Sequence, residues 1–170
     1  MGAPFNETVE IYLDAYRKAR AEGEQIGITV LLGAEITFDS CYNDYLVYGL
    51  TEKDFYDNPR MYEMTVEEFS RFAKQKGLFL AQAHPFRNEK TTRTDPSLLD
   101  GCEVYNSYEN NNSLSLIWAQ ENQLVPLCGQ DYHHREEMKG NKTAFFDEVR
   151  DTNSLIKQLR SNNYKIIINN

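Results

Sequence analysis

The sequence predicts an α/β fold in which parallel strands alternate with helices. Short, nearly continuous apolar runs of strand length take turns with stretches whose apolar residues recur every three or four positions. The chain has 170 residues, about one domain on the usual range of roughly 100–200 residues per domain. Hydrophobic residues make up 41% of it, enough to fill a core, and no internal repeat or linker interrupts the pattern. Residues 1–170 are therefore expected to form a single domain whose parallel strands make either an open sheet or a barrel.

Each element has its own signal. From Glu7 to Ala21 the residues Val9, Tyr12, Leu13, Tyr16 and Ala19 mark one face of an amphipathic helix that should end near Gly23. Ile28–Leu32 (ITVLL) has the pattern of a buried strand stopped by Gly33, and Tyr45–Tyr48 (YLVY) has it again. Thr65 followed by Glu68 forms a capping-box pattern ahead of Val66, Phe69, Phe72 and Ala73, which predicts a helix over Thr65–Lys76. Strands are expected at Leu78–Ala81, Cys102–Tyr105, Leu124–Cys128, Thr143–Val149 and Tyr164–Ile168, with helices at Leu114–Glu121 and Asn153–Arg160. The polar stretch from Asn88 to Pro96 reads as a loop, the kind of segment in which function concentrates.

Composition narrows the function. Lys and Arg number 18 against 26 Asp and Glu, a net charge of -8, which argues against a nucleic-acid or anionic-membrane surface. No apolar run approaches the roughly 18–20 residues that span a bilayer, and the start lacks a signal-peptide pattern. The 3 cysteines are widely spaced with no CxxC, so neither a disulfide framework nor a zinc ribbon is indicated. A cytoplasmic location is the expectation. No serine-nucleophile elbow and no phosphate-cradling glycine loop occurs.

The chemistry-bearing residues gather at strand ends. The 3 histidines, His84, His133 and His134, all follow predicted strands, and so does Glu35, while Asp44 fronts the next apolar run. In parallel α/β folds ligands bind at the carboxyl ends of strands. Asp131 and His133 are two apart, which in an extended strand end turns both to one side. A mixed set of carboxylates and imidazoles suits zinc, manganese or iron better than calcium. A single such residue is more often a satisfied structural group or a helix cap, but four at different strand ends are harder to dismiss. Glu136 and Glu137 read as solvated charge, and Cys128 as a small hydrophobe inside a strand.

Four segments in order, Gly33-Ala34-Glu35, Ala83-His84-Pro85-Phe86-Arg87, Gly101-Cys102-Glu103-Val104-Tyr105-Asn106 and Gly129-Gln130-Asp131-Tyr132-His133, resemble later motifs of the PHP (polymerase and histidinol phosphatase) family. The resemblance spans nearly the whole chain. It implies a distorted seven-stranded (βα)7 barrel with a cluster of two or three divalent metal ions at its carboxyl face, and hydrolysis of a phosphoester. It also implies that Glu35 bridges two metals, that His84, Asp131 and His133 are further ligands, and that Arg87 contacts phosphate. Where the family often has a histidine, Asp44 (or Asn43) stands here. Glu103 would support the ligands and Asn106 would line the pocket.

The family's opening HxH strand has no counterpart, because no histidine precedes His84. The resemblance thus implies a barrel truncated at its N-terminus, with an incomplete metal site and impaired activity. The expected substrate is a small phosphorylated molecule. Exposed barrel edges would favour pairing with a second copy. The competing expectations are a non-catalytic remnant acting as an interaction or regulatory module, and another metal-dependent barrel hydrolase acting on a carbon–nitrogen bond.

Overall fold

The structure, a computed structural model, describes residues 5–107, 110–133 and 140–168. It opens with helix α1 (Phe5–Ile26), followed by strands β1 (Gly33–Thr37) and β2 (Asp44–Tyr48). Helices α2 (Glu52–Asp57) and α3 (Val66–Lys76) lead to β3 (Phe79–Gln82), then β4 (Gly101–Tyr105), α4 (Asn112–Glu121) and β5 (Val125–Cys128). The chain ends with β6 (Lys142–Phe145), α5 (Thr152–Arg160) and β7 (Tyr164–Ile167).

The first five strands form one sheet in the order β1-β2-β3-β4-β5, and β6 pairs with β7 in a separate two-stranded sheet. No barrel closes among the described residues, so the expected parallel (βα)7 barrel is replaced by a mixed open sheet. The connection explains half of this. Residues 38–43 between β1 and β2 are too few for a crossover, so β2 must return antiparallel, and it pairs antiparallel with β3 as well. Only β3–β4 and β4–β5 are parallel. The remaining strands, β6 and β7, pair antiparallel with each other and extend no barrel wall.

These pairings set the polarity of the sheet. β1, β3, β4 and β5 all run one way, so their carboxyl ends share an edge with the start of β2. The sheet has two unlike faces. On one, Ala34, Ile36, Tyr45, Val47, Leu80, Cys102 and Val104 pack under Leu13, Phe69, Ala73 and Ala119 of the helices. On the other, Phe79, Ala81 and Leu127 are covered by Ile156 and Leu159 of α5 and by Phe145 and Tyr164 of the small sheet. That second cover stops short of β1, where Gly33, Glu35 and Thr37 are exposed between buried Ala34 and Ile36.

The local signals account for most elements. Thr65 accepts from the Glu68 N–H while Glu68 accepts from the Thr65 N–H at 2.9 Å, and Gly77 ends α3 with φ 71°. The expected strand at Ile28–Leu32 is not one. That apolar run carries no ladder, and the strand begins at Gly33, whose alternation of exposed and buried residues marks a half-buried edge. Strand β6 also ends at Phe145, short of Val149. Helix α2 has its own capping box, with Thr51 and Asp54 satisfying each other's N–H groups, and this signal lay unread in the sequence. No helix among the described residues is long and apolar enough to cross a membrane.

Candidate metal centre

Three acidic and imidazole side chains meet at the carboxyl edge of the sheet. Glu35 lies on the exposed face of β1, and the register that sets Thr37 opposite Asp44 brings the first residue of β2 beside it. The Thr37 hydroxyl donates to the Asp44 carboxylate and fixes its direction. His84 follows β3 directly, tied down by the Ala83 N–H, which donates to the Asp44 carbonyl at 2.9 Å. Its Nε2 lies 3.3 Å from Glu35 Oε1 and 3.6 Å from Asp44 Oδ2. One donor atom from each of Glu35, Asp44 and His84 falls within 4.8 Å of the others.

His84 is held from below. Its φ of 25° is a left-handed value that a non-glycine residue adopts only when its surroundings compel it. The compelling contact is Glu103 on β4, whose Oε2 accepts from the His84 N–H at 2.9 Å and from Asn106 Nδ2 at 3.0 Å. Glu103 is itself buried, and that burial pushes its carboxyl above the usual range against the pull of those hydrogen bonds and of His84. Room for it exists only because residue 129 is glycine. A Cβ there would sit 1.8 Å from Glu103 Oε1.

The electrostatics of the ring follow from these neighbours. Burial pulls the His84 imidazole down, but the hydrogen bond to Glu35 and the charges of Glu103 and Glu35 outweigh it, so its pKa lies above the ordinary value. Its other nitrogen, Nδ1, is buried with no hydrogen-bond partner among the described residues. The ring is therefore oriented through Nε2, toward the two carboxylates.

Arg87 completes the approach to the cluster. The Arg87 N–H donates to the His84 carbonyl at 3.0 Å, a turn that folds the guanidinium back until Nη1 is 3.4 Å from His84 Nε2. Asn43, the alternative to Asp44, is committed elsewhere. It is buried, with its amide on Thr92, Thr94 and Tyr45.

Asp131 and His133 lie outside the three-residue cluster. Asp131 reaches it indirectly, through Asn106, whose Nδ2 donates to Asp131 Oδ2 at 3.3 Å and to Glu103. Past β5 the chain is not extended, because Asp131 has a φ of 48°. His133 meets it through this turn, with Nδ1 2.8 Å from the Asp131 carbonyl oxygen and 3.4 Å from Oδ1. His134, Glu136 and Glu137 lie outside the described residues. Thr37 and Gly129 belong to the site and were not anticipated. The i, i+2 spacing of Thr37 from Glu35 on one strand was the available signal for the first.

Three donors, two oxygens and one nitrogen, are a protein share that a divalent ion can take. The residues present therefore fit a metal ion.

No family profile matches the chain. Its fold is similar to that of PsfC from Pseudomonas syringae PB-5123, with a TM-score of 0.67 and 20% identity over 84% of this chain. The chain spans 60% of the length of PsfC. A protein from Bifidobacterium adolescentis ATCC 15703, described as a "putative metal-dependent phosphoesterase", shares the fold at a TM-score of 0.51 and 14% identity, over 85% of this chain and 81% of its own. In sequence, 95 residues are 33% identical to the SPbeta prophage-derived uncharacterized protein YoqY of Bacillus subtilis (strain 168), covering 54% of this chain and 71% of YoqY. By that match, the chain belongs to the same protein family as YoqY.

Proposed function

We propose that the protein hydrolyses a small phosphoester with the help of a divalent metal ion held by Glu35, Asp44 and His84, and that it is a relative of the PHP phosphoesterases. The observation that carries this reading is the convergence of those three donors, within 4.8 Å, at the carboxyl edge of the sheet. The fold shared with the Bifidobacterium protein supports the same class of reaction.

The residues divide the work. Glu35 and Asp44 bring negative charge and open oxygen atoms, with Thr37 keeping Asp44 turned inward. His84 supplies the nitrogen donor, and Glu103 keeps its backbone in place. Arg87 stands beside the donors with a cation that can meet the phosphoryl oxygens of the substrate. A bound divalent ion would acidify water and neutralise charge on the phosphoryl group. In the overall reaction water adds to phosphorus, the bond from phosphorus to the alcohol oxygen breaks, and the alcohol leaves carrying a proton. The net charge of -8 favours a small substrate over a polyanion such as nucleic acid.

Elemental analysis of protein purified without chelator or metal-binding tag tests this directly. About one equivalent of zinc, manganese or iron per chain is expected, lost in His84→Ala together with phosphomonoesterase activity. Metal content that is unchanged by His84→Ala would sink the assignment.

A further inference from the structure

Beside the candidate metal centre lies a second feature that the reaction does not require. A cleft of about 240 Å³ runs along the outer edge of β1, between α1 and the α2 region. Val9, Ile36, Phe55 and Met61 form its buried floor and walls. Tyr12 stands at its mouth, its ring 5.2 Å from that of Phe55. These groups come from separate elements of the chain, so the cleft is built by the fold and is not a dent in one loop.

Its position gives it meaning. Glu35 lines the cleft and is also a member of the metal-ligand cluster, so the free edge of β1 borders both, with the cleft's floor on one face and the cluster on the other. Burial raises the Tyr12 hydroxyl pKa, and the charge of Glu35 raises it further, which places Tyr12 within electrostatic reach of that carboxylate. The volume is below the roughly 300–1,000 Å³ of sites that enclose a whole ligand, so the cleft suits one flat group. Aromatic walls favour an aromatic guest in offset or edge contact.

Resting on the phosphoesterase reading, we propose that this cleft is the subsite for the alcohol part of the substrate, and that this part is a flat aromatic group. The phosphoryl group then faces Glu35, Asp44 and His84 while the ring packs against the touching pair Tyr12 and Phe55. The Glu35 carboxylate in its wall would disfavour an anionic leaving group and leave a neutral one unopposed.

The test separates this proposal from the reading beneath it. In the full chain, titration with 1-naphthol is followed at the Met61 methyl resonance by NMR, which needs neither metal nor turnover. A saturable shift is expected, and Tyr12→Ala should weaken the apparent affinity about tenfold while Met61 keeps its native resonance in the free protein. In parallel, kcat/KM for 2-naphthylmethyl phosphate should exceed that for ethyl phosphate, an alkyl ester of similar leaving-group strength, at least tenfold, with the ratio falling toward one in Tyr12→Ala. Naphthol bound at Met61 without hydrolysis of either ester overturns the phosphoesterase reading and the leaving-group role with it, leaving only a cleft that binds aromatic rings. Hydrolysis of both esters at equal rates, with no shift at Met61, overturns the subsite and leaves the phosphoesterase standing.

Discussion

Glu35 and Glu103 point from the same sheet, one on its edge strand and one on β4, and they live under opposite conditions. The Glu103 residue is 3% exposed, and it accepts hydrogen bonds from the His84 backbone and from Asn106. The Glu35 side chain is 45% exposed and faces an imidazole, with open solvent beside it. A buried carboxylate with committed partners acts on the shape of its neighbours. An open one keeps its lone pairs for something that is not part of the chain. The comparison explains why two glutamates of similar context, each the middle residue of a five-residue strand, deserve different roles.

Four substitutions probe this contrast. Glu103→Ala should be the most destabilising, by about 3 kcal/mol, because it strands the His84 N–H and the Asn106 amide in a buried site and leaves a cavity. Urea denaturation read by circular dichroism measures it, and a loss under about 1 kcal/mol would show that Glu103 is not the bracket described. Gly129→Ala attacks the same bracket from the other side. Its methyl group must displace the Glu103 carboxylate, at a cost of about 1–3 kcal/mol, and metal content should fall with it.

Asp54 offers a control far from the sheet edge, since it too is a buried carboxylate with committed partners. Burial raises its carboxyl, but hydrogen bonds from Lys76 and Thr51 outweigh this and hold it below the usual 3.8. A lowered folded-state value means the charged form is favoured by folding. That stability is present in full above about pH 4 and is lost as pH falls through the folded value. Asp54→Asn should cost about 1 kcal/mol at pH 7 and flatten the stability curve below pH 4, with no change in metal content. Acid titrations of the two proteins that run parallel would break the assignment.

Glu35→Gln should have the smallest effect on folding, within about 0.5 kcal/mol, because an exposed edge position tolerates a neutral isostere. Metal content should nonetheless fall sharply. A thermal midpoint unchanged together with lost metal would mark Glu35 as a binding residue; a large drop in stability would make it structural like Glu103.

Much of this was legible in the sequence, and the reasons are local. The Thr65–Glu68 box marked α3, and Glu35, Asp44 and His84 stood out because carboxylates and imidazoles beside apolar runs are few, although Glu35 sits inside β1 and not after a strand. What failed was long range. An apolar run such as Ile28–Leu32 looks like a strand whether or not a partner exists to pair with it, and nothing in its residues says that Gly33 begins the ladder. Barrel closure was read from alternating periods, but pairing direction depends on connection length, and the six residues from Phe38 to Asn43 forced an antiparallel return that periodicity does not record. The meeting of Asp131 with His133 was expected from extended geometry, and the chain achieves it with a left-handed turn instead.

The short β1–β2 connection also dictates a timetable for assembly. A hairpin of this kind closes within microseconds, because little loop entropy must be overcome. Glu35 and Asp44 are thus brought together by local chain contacts alone. His84 needs the longer-range docking of β3 on β2, and Glu103 the parallel pairing of β4. A nascent chain emerging from the ribosome would therefore present two carboxylates side by side well before the imidazole joins them. A cation can settle in its final place only at the end of folding, where it would slow the departure from the native state more than it hastens arrival there.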